Sequence, residues 1–179
     1  MQDEQQQEWS RLRCEAHDGL RNGFRQSRTD HRAVQVIEMP SFLPWTSWEL
    51  YKVHNRELNS ALLVEAVWLL DIDAEKFRDP MTRLRYPQVI QPTISVRVSS
   101  VAEELLLSTV SELGALVLPA DPGPAPLVID GTSYEIAAGE GFAFVRYHLT
   151  DSPPERWLPL HDWASRWIAG NRSNAVPCP

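Results

Sequence analysis

The plainest alternation in the chain is "TISVRVS". Ile94, Val96 and Val98 fall on one side and Ser95, Arg97 and Ser99 on the other, which predicts a half-buried strand. "AVQVIEM" (33–39), closed by Pro40, and "WELYKVH" (48–54) read as two more strands. Between strands two and three the pattern is ambiguous. Residues 58–70 run to thirteen and are rich in Leu, Ala and Glu, which favours a helix. A hairpin turning at "NRELNS" is the rival reading.

Helical spacing is clearer elsewhere. Trp9, Leu12, Ala16 and Leu20 recur at three and four residues over 2–20, with an end near Gly19 or Gly23. "DIDAEKFRDP" predicts a short helix opening at Asp71 or Asp73. Ser99 or Ser100 is expected to cap a helix to Leu116, with Val101, Leu105, Leu106, Val110 and Leu113 as its apolar stripe. A capping box at Ser152 and Glu155 opens the last helix, on which Trp157, Leu160, Trp163, Trp167 and Ile168 align and which Gly170 ends.

"LVIDGTSYEIAAGEGFAFVRYHL" (127–149) places Asp130-Gly131 between apolar runs, a hairpin signal, and Gly139 to Gly141 make a second turn. A meander of three strands results, with Arg146 and His148 on one side of the last and Val145, Tyr147 and Leu149 on the other. The "GEG" turn feeds a strand and not a helix, so it is no phosphate loop.

These elements predict one α+β domain: a mixed or antiparallel sheet with helices packed on one face. An N-terminal helix and Arg-rich arm fill 1–32, the domain 33–170, and a tail 171–179. At 179 residues, 43% apolar and 23% charged, the chain suits one ordinary globular domain.

A net charge of −7 disfavours nucleic acid, because phosphate backbones repel it, and suits a basic protein partner. The polar N-terminus and the lack of a long apolar run point to a cytoplasmic chain without a membrane span. Cys14 and Cys178 make no disulfide framework and no zinc site. The five histidines (17, 31, 54, 148 and 161) stand in no metal pattern. No nucleophile, nucleotide-loop or kinase motif occurs, so no catalytic, cofactor or metal residue is assigned.

"DGTSYEI", "GEGFA" and "PPERWLPL" together resemble the C-terminal part of small uncharacterised bacterial proteins that are themselves similar to immunity partners of polymorphic or secreted toxins. The resemblance covers 127–168 and names no catalytic residue. It implies an intracellular inhibitor of one toxin or effector. The expected mechanism is occlusion of a basic active site by an acidic, aromatic surface, steered by charge. Candidate partner-binding residues are Glu49, Glu57, Glu65, Asp71 and Asp73, with Trp45 and Trp48 as anchors. The alternative is a small hydrolase or transferase with a site assembled around His54, His148 and Glu65; a third is a structural subunit of a larger assembly.

Overall fold

Among the described residues, the alternating and apolar stretches pair into one six-stranded antiparallel sheet, in the spatial order 94–102, 60–68, 46–52, 31–40, 132–140 and 143–150. A computed structural model describes residues 2–22, 31–53, 60–79, 91–116, 131–140 and 143–173. In chain order these form α1 (Gln2–Asn22), β1 (His31–Pro40), β2 (Thr46–Lys52), β3 (Ser60–Trp68), α2 (Leu70–Arg78), β4 (Ile94–Ala102), α3 (Glu103–Ala115), β5 (Thr132–Glu140) and β6 (Ala143–Thr150). A 3-10 turn (Glu155–Trp157) leads into α4 (Leu158–Ser173). The chain is a single α+β domain.

Register explains the layers. One row crosses the sheet as Arg97, Glu65, Trp48, Val36, Ile136 and Tyr147. Its middle members pack against Leu106 and Leu113 of α3 and Leu160, Trp163 and Ile168 of α4. The adjacent row, Val96, Ala66, Ser47, Ile37, Glu135 and His148, lies on the other side of the pleat. There Leu12, Ala16 and Leu20 of α1 pack with Ile37, Trp45, Ala66 and Trp68. Helices therefore cover both faces, which corrects the expectation of one. The reason is visible in β1 and β2: Val34–Ile37 and Thr46–Tyr51 are buried residue after residue, so each side of the sheet needs a cover.

The N-terminal helix is thus built into the core. It passes through Gly19, where an added Cβ would stand 2.7 Å from Ile94 Cδ1, so the helix approaches β4 closely.

Several boundaries move. Residues 60–68 form a strand, not a helix. β3 is a central strand with apolar side chains on both faces, and its cross-strand neighbours override the helix propensity of Leu, Ala and Glu. The proposed turn there lies outside the described residues. β4 runs through Ser99 and Ser100 to Ala102, which becomes the N-cap of α3 without a side-chain bond. α2 is capped by Leu69, likewise without a side-chain bond. Ser152 does not open α4, which starts at Leu158 and passes through Gly170. Pro159 falls in the first turn, where its missing N–H has no helical partner to lose.

The hairpin of β5 and β6 forms as expected. The first strand of the expected meander (127–129) lies outside the described residues, as does the stretch 118–126. Gly131 has φ +116°, and a Cβ there would meet Asp151 Oδ2 at 2.1 Å. Thr132 N donates to that same carboxylate, and Ser41 N and Oγ donate to Gly131 O. The turn therefore requires glycine.

Candidate functional site

Most of the acidic and aromatic candidates lie inside the domain. Glu49 has no exposed surface. Its carboxylate accepts from Gln35 Nε2 at 2.7 Å, from Ser47 Oγ at 3.3 Å and from Tyr51 Oη, with Arg32 at 3.7 Å. Gln35 also donates to Leu20 O at 2.8 Å, which ties α1 to the sheet.

Asp73 is also fully buried. It accepts from Thr93 N at 2.7 Å, Thr93 Oγ1 at 2.6 Å, Trp68 Nε1 at 2.8 Å and Lys76 Nζ at 3.2 Å. Burial pushes its carboxyl upward, but the bonds from Thr93, Trp68 and Lys76 outweigh this and hold it below the usual range. Trp45 donates to Pro40 O and stacks its edge on Trp68 at 5.0 Å. Trp48 lies in the core beneath the Arg172 guanidinium, 5.5 Å from the ring centroid. These four side chains hold the fold and do not form a surface, a correction whose cause is that each buried carboxylate is satisfied by internal donors and each ring packs in the core.

Glu65 pairs with Arg97 across β3 and β4, on the α3 and α4 face. Asp71 is exposed on α2. Glu57 lies outside the described residues. The dispersed catalytic alternative fares no better. Glu65 is on β3 and His148 on β6, with β2, β1 and β5 between them and the two side chains on opposite faces. Four strand spacings are about 19 Å, so they do not share a site; His54 is outside the described residues. Among the described residues no group of three His, Cys, Asp or Glu side chains converges as a metal site requires.

What the fold does present is an apolar cleft of about 410 Å³ between α3 and the β1-β5-β6 half of the sheet. Its floor is Val34, Ile136 and Leu160, and its walls are Leu106 and Leu113 on one side and Val145 and Tyr147 on the other. Among the described residues, three large apolar side chains of the rim remain open to solvent: Leu107 is 60% exposed, Val110 46% and Val145 55%. Among the described residues the polar lining is Lys52 on β2 and Glu103 at the start of α3. α3 itself carries Glu103, Glu104 and Glu112 and no basic residue. Trp167 Nε1 donates to Thr109 Oγ1 at 3.2 Å, which fixes α3 against α4 and keeps the cleft wall in place.

The rim residues were not singled out as a site from sequence, although their signal is present there. α3 carries Leu105, Leu106 and Leu107 in succession and then Val110 and Leu113. That arc is wider than one buried stripe needs. Only Leu106, Thr109 and Leu113 are buried, and the surplus apolar positions form the rim.

No protein family, curated protein or solved structure matches the chain.

Proposed function

We propose that the chain is a non-enzymatic binding protein that covers a basic, partly apolar segment of a protein partner with the α3 cleft. This is the immunity-type role implied by the resemblance of residues 127–168, now resting on a different surface from the acidic and aromatic one expected. Cytoplasmic action belongs to the same proposal.

One observation carries the reading. The cleft leaves Leu107, Val110 and Val145 half uncovered beside a helix whose charged residues are all acidic. Apolar residues at the rim supply affinity, and the acidic helix selects a cationic flank. Covering the exposed part of the three side chains is worth about 1 kcal/mol each, or about a hundredfold in affinity together.

The test uses a fluorescent amphipathic peptide of Leu and Lys, and its counterpart with Glu in place of Lys. The expected result is saturable binding of the Lys peptide, at least tenfold weaker binding of the Glu peptide, and loss of about tenfold with Val110→Asp. Equal binding of both peptides, or no effect of Val110→Asp, overturns the proposal. A partner captured from the native host is expected to be basic and to be released by the same substitution.

A further inference from the structure

On the opposite face from the cleft lies an open pocket of about 390 Å³ between α1 and the β1 and β6 strands. It is lined by Ser10, Arg13, Cys14 and His17 of α1, by Met39 and Trp45, and by His148. Beneath it is Glu135, 1% exposed. Its Oε2 lies 2.9 Å from His17 Nε2 and 3.7 Å from His148 Nδ1. Its Oε1 pairs with Arg146 and lies 3.2 Å from Arg21 Nε.

The charge around this carboxylate is unbalanced. Among the described residues, Glu135 and Asp18 are the anions facing the histidines, against Arg13, Arg21 and Arg146. Arg32, behind Arg146, is matched by Glu49. One positive charge is left over with both imidazoles neutral, and three with both protonated. In a chain of net charge −7 this is a local reversal of sign. The floor adds a second feature. Arg13 stacks on Trp45 with its guanidinium carbon 5.1 Å from the ring centroid, and Met39 completes an apolar wall. The cavity is larger than a bare oxyanion needs, and its apolar side suits a carbon body attached to one.

We propose that this pocket binds a small phosphomonoester, with Arg13 and His148 on the phosphate and the Trp45 and Met39 wall against the organic part. Arg is the residue that matches phosphate oxygens with paired donors. His17 stays on Glu135 and positions it, while Arg21 and Arg146 neutralise that carboxylate so that it does not repel the ligand. Binding draws protons onto the imidazoles, because a bound anion favours their charged form. Both are held below the usual histidine range when the pocket is empty, first by burial and next by Arg21. Affinity therefore rises as pH falls. This site is independent of the cleft and of the partner proposed there.

The experiment is calorimetric titration of the full chain with phenyl phosphate, inorganic phosphate and phenol, at pH 8 and pH 6. Phenyl sulfate, whose single charge is constant over that range, separates protonation of the protein from that of the ligand. Phenyl phosphate is expected to bind at least tenfold more tightly than either inorganic phosphate or phenol. Phenyl sulfate is expected to bind more tightly at pH 6 than at pH 8. Arg13 is exposed, so Arg13→Gln leaves the fold in place, and it is expected to weaken phenyl phosphate by at least tenfold. His148→Gln is expected to remove most of the pH dependence. Binding that ignores both substitutions, or inorganic phosphate binding as well as the ester, overturns the assignment; the first marks a diffuse surface attraction and the second an unspecific anion hole. Far-ultraviolet circular dichroism of each variant separates loss of the site from loss of the fold.

Discussion

Asp73→Asn removes the charge of a buried carboxylate that accepts four hydrogen bonds. In the wild type, Oδ2 accepts from two N–H groups, Trp68 Nε1 and Thr93 N, while Oδ1 accepts from the Thr93 hydroxyl and Lys76 Nζ. An asparagine placed with its oxygen toward the two N–H groups keeps both bonds. Its amide nitrogen then faces the hydroxyl, which can turn to accept, and the ammonium, which cannot. One ionic bond is lost and three others become neutral or reversed. Bonds to charged groups are worth about 1.5–3 kcal/mol and neutral ones about 0.5–1.5, so the cost is about 2 kcal/mol at pH 7. With a urea slope near 2 kcal/mol per molar, the midpoint falls by about 1 M at unchanged slope. Tryptophan fluorescence reads the transition. The pH dependence checks the cause. Asp73 has a native pKa below its unfolded value. Its contribution is therefore fully present above the unfolded pKa of about 3.9 and is lost as pH falls through the lower native value. The gap between wild type and variant is flat from about pH 8 to 5 and narrows below about pH 4. A gap under about 0.5 kcal/mol at neutral pH, or one that persists undiminished in strong acid, refutes the account.

His17 and His148 act in the same direction, in a window nearer neutrality. Both are held below the usual histidine value, so the unfolded chain binds more protons just below about pH 6.5 and stability falls there on acidification; denaturation of His148→Gln at pH 7.5 and 5.5 is expected to show a smaller loss than wild type. Leu160→Ala, at a side chain with no exposed surface in the α4 core, is expected to cost about 2–5 kcal/mol in urea titration. Gly170 sits within α4 with nothing within 4 Å of an added Cβ, so Gly170→Ala is expected to raise stability by about 0.5–1 kcal/mol. Val110→Asp, at a position 46% exposed, is expected to change stability by no more than about 0.5 kcal/mol, which separates its binding effect from unfolding.

How far the sequence could be read depended on whether apolar and polar residues alternate along a strand. β4 alternates Ile94, Val96 and Val98 with Ser95, Arg97 and Ser99, and its interior is legible; β6 is legible for the same reason. β3 lies between β4 and β2 with apolar residues on both faces, so its period of two vanishes and Leu62, Leu63 and Val64 read as helix. Amphipathic α1 and α4 were clear from Leu12, Ala16 and Leu20 and from Leu160, Trp163 and Ile168, all buried as their spacing implied. Caps were not, because Ser100 and Ser152 satisfy a local motif that strand pairing and the 3-10 turn override. The charged candidates failed for a physical reason: a carboxylate such as Glu49 or Asp73 enters the core only with several donors, and part of that set is remote in sequence, Gln35 and Arg32 for Glu49 and Thr93 for Asp73. Glu135 went unnoticed in the same way, its partners Arg146 and His17 being brought together only by the fold.

The sheet is the partition between the two pockets, and it has consequences for how the chain can change. The aliphatic cleft and the cationic pocket lie back to back across one thickness of backbone, with no side chain common to both linings. Substitutions at positions more than about 10 Å apart on the two sides, such as Val110 and Arg13, are therefore expected to combine additively. Each specificity can drift under its own selection while the wall between them stays as it is.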